Sequence, residues 1–67
     1  MLVDPWNAHI AYLEAQISEL TRRAGKLEAT IPACESVEKK VALRELANHL
    51  RDEATEHSKY LALVKQN

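Results

Sequence analysis

Three side chains able to bind a metal or move a proton recur at one spacing near the end of the chain: His49, Glu53 and His57. Residues four apart share a helix face, so imidazole and carboxylate would stand in a row there, with Glu56 and His9 as further ligands. Each helical turn rises about 5.4 Å, which puts the outer two of the three too far apart for one ion. A metal site would therefore need one i, i+4 pair and ligands from elsewhere. The simpler expectation is that His57 belongs to an apolar seam and makes a hydrogen bond, while Glu53 pairs with a neighbouring histidine or lysine. No metal and no cofactor is expected.

The other reactive group is Cys34, the only cysteine. It lies beside an expected helix start, a position that activates thiols, but a single thiol on a turn has no walled pocket to hold a substrate. Turn packing accounts for it better than catalysis. The chain has one glycine and no glycine-rich phosphate loop, nucleophile elbow or HExxH pattern. A non-enzymatic protein is expected.

Charge is distributed unevenly. Residues 22–45 carry Arg22, Arg23, Lys26, Lys39, Lys40 and Arg44 against Glu28, Glu35, Glu38 and Glu45, a net of +2. The remainder carries Arg51, Lys59 and Lys65 against Asp4, Glu14, Glu19, Asp52, Glu53 and Glu56, a net of −3. Such a basic region suits phosphate or an acidic protein surface, and it equally describes solvated helix faces of mixed charge. The net charge of −1 argues against a dedicated nucleic-acid binder.

The elements that carry these groups are two long helices. Asp4-Pro5-Trp6 reads as a helix start, with Asp4 capping and Pro5 at the first turn. Trp6, Ile10, Leu13, Ile17, Leu20, Ala24, Leu27 and Ile31 then alternate at spacings of four and three, a heptad seam without an error. Pro32 ends this helix because it biases Ile31 away from the α region. Ser36 caps a second helix and Glu38 suits its first turn. The second seam is Leu43, Ala47, Leu50, Ala54, His57, Leu61 and Val64. Leu46 and Tyr60 widen it on one side, while Val37 and Val41 lie near the turn.

The expected fold is an all-α, coiled-coil-like antiparallel hairpin in a single domain, 1–67: helix 1 over about 5–31, a turn over 32–36, and helix 2 over about 37–65. A chain below about 70–80 residues seldom supplies enough core by itself. The broad apolar face of helix 2 predicts dimerisation into a four-helix bundle. Ile10, Leu13, Ile17, Leu20, Leu27, Leu43, Leu46, Leu50, His57 and Leu61 are the expected core and dimer residues.

Antiparallel pairing sets Trp6 near Val64, Ile10 near Tyr60 and Leu13 near His57, so the aromatics gather at the open end. Trp6 occupies a seam position and is expected to pack in the core, though it also counts with Tyr60 among the candidate partner contacts. Tyr12 lies off the seam and is the leading candidate for a partner anchor, since Tyr and Trp are favoured in that role. Arg22, Arg23, Lys26, Lys39, Lys40 and Arg44 complete the candidate partner surface.

Cys34, Ser36-Val37-Glu38-Lys39 and Ala42-Leu43-Arg44-Glu45-Leu46 resemble the turn of the small phage hairpin domains found in cyclic-nucleotide sponges. The pattern differs in placing Pro32 before the cysteine and Cys34 one residue closer to Ser36. That resemblance implies an anti-defence protein binding a cyclic dinucleotide. The chain is also similar in size and plan to the Rop RNA-binding hairpin dimers, without a continuous basic face. It is similar in scale to phage inhibitors that dock on host regulatory proteins. This last likeness implies a stoichiometric inhibitor or modulator.

No apolar run approaches the ~20 residues that span a bilayer. Met1-Leu2-Val3-Asp4-Pro5 lacks the basic and apolar segments of a signal peptide. The cytoplasm of a bacterial host is the expected location.

Overall fold

The computed structural model describes residues 4–66. Helix α1 spans Pro5–Thr30, a 3₁₀ turn spans Ile31–Ala33, and helix α2 spans Val37–Lys65. The two helices pack on each other as a hairpin measuring 53 × 23 × 11 Å. The smallest dimension is that of a single helix, so the molecule is one layer thick.

Local chemistry fixes both helix starts. The Asp4 carboxylate accepts the Trp6 backbone N–H at 2.9 Å, and Pro5 follows at a position that needs no donor. Ser36 Oγ accepts from the Lys39 N–H at 3.3 Å, with Glu38 in the first turn. The end of α1 departs from expectation. Ile31 keeps α-helical angles (φ −53°, ψ −47°) in front of Pro32 instead of leaving the α region. Its N–H turns toward the carbonyls of Leu27 and Glu28, tightening the last turn and covering the carbonyl that Pro32 cannot reach. The chain becomes extended only at Cys34 (ψ 134°).

The shared interior is thin. Leu13, Leu20 and Ala24 are buried from α1, and Ala47, Ala54, Leu61 and Val64 from α2. Among these, only the alanines Ala24 and Ala47 are completely covered. Ile10 and Ile17 are half-buried against Leu13, Leu61 and Val64.

Along the hairpin, Leu13 clusters with Leu61 and Val64, one to two turns beyond His57 on α2. Side chains lean toward the N-terminus of their own helix. In an antiparallel pair the two leans are opposed, so residues that touch lie further along both helices than backbone height alone indicates. The seam position of Trp6 also fails to bury it: it is 44% exposed, resting beside His9. It lies in the first turn of α1, where α2 offers too little surface to enclose an indole.

Candidate interaction surfaces

The hairpin has two broad faces of opposite chemistry. On one, a shallow groove of about 390 Å³ is lined by Leu27, Leu46 and Leu50, with Arg23 and Lys26 along its rim. Leu43, Leu46, Leu50, Glu53, His57, Tyr60 and Val64 alternate at spacings of three and four along this flank of α2. His9, Leu13, Gln16, Leu20, Arg23 and Leu27 do the same on α1. Each helix thus offers a second seam beside the one it uses in the hairpin. Leu46 is exposed, whereas Leu27, Leu43 and Leu50 are half-covered.

The opposite face carries a groove of about 320 Å³ lined by Ile17, Thr21, Arg51, Ala54, Thr55 and Ser58. Thr21 donates its hydroxyl to the Ile17 carbonyl at 2.9 Å, and Thr55 donates to Arg51 at 3.0 Å. Arg51 crosses to Glu28 in a two-pronged pair, and Lys65 reaches Glu14 at 3.8 Å. The guanidinium of Arg51 holds the Glu28 carboxyl below its usual value. Around this groove, hydroxyls and charged side chains bond within the hairpin.

At the open end, Trp6 lies 6.4 Å from His9, and His9 meets the edge of Tyr60 with ring centres 5.9 Å apart. The His9 Nε2 and the Tyr60 hydroxyl are 3.4 Å apart. Tyr12 stands away from this cluster and is 60% exposed. Spacing alone does not pair His9 with Tyr60, although both lie at seam-flanking positions.

At the turn half, the basic residues divide into two groups. Arg22 and Arg23 both hold Glu19, each through its Nε at 3.0 Å. These two guanidinium hydrogen bonds lower the Glu19 carboxyl to about 2. Lys26, Lys39, Lys40 and Arg44 make no ion pair among the described residues. The six basic residues thus differ in their partners within the hairpin.

His49 Nε2 lies 2.7 Å from Glu53 Oε1, and His57 Nδ1 donates to the Glu53 carbonyl at 2.8 Å. A carbonyl can only accept, so the Nδ1 proton of His57 is fixed and its Nε2 is left for other partners. Among the described residues no group of three His, Cys, Asp or Glu side chains gathers to hold a metal. Cys34 is half-buried with a free thiol.

No family model, curated protein or solved structure matches the chain. No helix among the described residues is long and apolar enough to cross a membrane.

Proposed function

We propose that this chain is a non-enzymatic interaction protein that completes its core as a homodimeric four-helix bundle and binds a host regulatory protein stoichiometrically. One observation carries the reading. Among the described residues the hairpin completely covers only alanines, while Leu46, Tyr60 and Tyr12 stay exposed and Leu27, Leu43 and Leu50 half-covered along one side. Burying such side chains contributes about 1.5–3 kcal/mol each, which a second hairpin supplies and water does not. A phage or prophage origin agrees with the small size and with the turn resemblance.

Self-association on this face leaves a different patch for the partner. Val37 and Val41 are 73% and 51% exposed at the start of α2, one turn apart. Lys40 and Arg44 lie three residues beyond each of them, on the same side and without an ion pair among the described residues. An apolar pair fringed by two free cations fits an acidic, apolar groove on the target. The experiment is co-purification from bacterial lysate with the wild type and with Val37→Glu/Val41→Glu. A partner held at equal stoichiometry by the wild type and lost from a still-dimeric variant supports the reading. Equal recovery by both overturns it.

A second reading, binding of a cyclic dinucleotide at the turn, is favoured by the free cations Lys26, Lys39, Lys40 and Arg44. Ligand at 100-fold its dissociation constant adds about 2.7 kcal/mol. A thermal-shift screen with cyclic dinucleotides should then raise Tm by several degrees; no shift removes this reading.

A further inference from the structure

We propose that a second copy of the chain covers the Leu27–Leu46–Leu50 groove with the two turns at opposite ends, setting Arg23 and Lys26 of each hairpin over Tyr12 of the other. The proposal rests on the dimer reading above and adds its direction and its contacts.

Charge supplies the first argument. Residues 22–45 carry a net +2, and the rest of the chain a net −3. If the turns lay together, like-charged halves would stack; opposed turns bring each basic half onto an acidic one. Complementarity of this kind selects orientation more than it adds affinity.

Shape supplies the second. Along the groove, the turn half is aliphatic, with Leu27, Leu43 and Leu46, whereas the open half holds Tyr12, His57 and Tyr60. Two flat layers can meet face to face with opposed turns only by a two-fold axis across the hairpin, which lays α1 on α1 and α2 on α2. With the helices overlapped along their full lengths, the height of Arg23 on one α1 coincides with that of Tyr12 on the other. Leu46 then meets the level of His57, and Leu50 lies near the axis.

Tyr12 is 60% exposed and, among the described residues, stacks on no other aromatic ring: it belongs neither to the Trp6–His9 nor to the His9–Tyr60 pair. A guanidinium engaged edge-on by a carboxylate keeps its flat face for an aromatic ring. Arg23, held through Nε by Glu19, is in that state.

The single native thiol tests the direction directly. A spin label on Cys34 in the wild-type chain reports turn-to-turn distance within the dimer, while sedimentation equilibrium reports whether the dimer exists. Opposed turns predict a separation of more than about 40 Å, since each helix alone rises ~1.5 Å per residue over its length. Turns together predict a distance within the 23 Å width of the hairpin.

Because Cys34 is half-buried, Ala33→Cys in a Cys34→Ser background provides a second, exposed labelling position. A dimer with the long distance at either position supports the proposal. A dimer with the short distance overturns the direction and leaves the dimer reading intact; a monomer at every concentration overturns both. Tyr12→Ala tests the contact: two cation–π contacts per dimer should weaken association about 5- to 30-fold. Unchanged association, with the long distance retained, removes Tyr12 from the interface.

Discussion

The groove beside Thr21 and Thr55 and the groove beside Leu27 and Leu50 lie on opposite sides of the same two helices, with different finishes. In the first, hydroxyls bond the backbone of their own helix and Arg51 is spent on Glu28 across the hairpin. In the second, leucine side chains line a rim of cations and stay half-covered or exposed. The hairpin's own seam leaves Leu46 exposed and Leu27, Leu43 and Leu50 half-covered. A helix with one apolar stripe is served by one neighbour, and α2 has two stripes.

Charges placed on the leucine-lined face should have the greatest consequence. In a dimer, Leu46→Glu/Leu50→Glu removes four leucines from the interface at about 1.5–3 kcal/mol each. Sedimentation at micromolar concentration should give monomer, with a marked fall in Tm. An unaltered dimer would show that the second copy, if there is one, sits elsewhere.

A smaller effect is expected at the seam between the faces. Ala47 has 0% exposure, so Ala47→Leu has no space to enter. Overpacking of this kind costs about 1–3 kcal/mol, read as a lower denaturant midpoint. The same change at Ala42, exposed on α2, should be close to neutral. Equal effects at the two positions would contradict the tight approach of the helices.

These expectations also mark what was legible in the residues. The alternation from Ile10 to Leu27 and the Pro32–Ser36 punctuation carry the two helices and their antiparallel course, because period and capping are local properties. Which turn of α2 faces Leu13 is not local. It depends on opposed side-chain leans, and on how far a 3₁₀ turn carries the chain past Pro32. Trp6 fits the seam by spacing and is still half-exposed, since burial at a helix end depends on what the other helix provides. The ion pairs divide the same way. Glu19 with Arg22 and Arg23 follows from i+3 and i+4 spacing, whereas Glu28 with Arg51 requires the register.

Acid should act next, and on the polar face through Glu28. Arg51 depresses the Glu28 carboxyl, as Arg22 and Arg23 depress Glu19 to about 2 from 4.5. A folded-state value below the unfolded one means the stabilisation is present above about 4.5 and is lost as pH falls toward the folded value. These pairs are exposed, so solvent screens them and the decline in Tm between pH 5 and 2 should be gradual. Glu28→Gln should flatten part of that decline. An identical pH profile in the variant would show that the Arg51–Glu28 crossing adds nothing to the fold.

The smallest expected effect is the one that defines the polar face as finished. Thr21 and Thr55 are exposed and turn their hydroxyls to their own helix. Such bonds replace bonds to water and repeat what the backbone carbonyl already has, so they add little to stability. Thr21→Val/Thr55→Val should therefore change unfolding free energy by no more than about 0.5 kcal/mol per site and leave the assembly state unaltered. Sedimentation decides its meaning. If two added methyl-bearing surfaces on this side recruit further copies into larger oligomers, the polar groove is a guarded second interface. If the bundle stays as it was, this groove faces water, in keeping with the proposed dimer through Leu46 and Leu50.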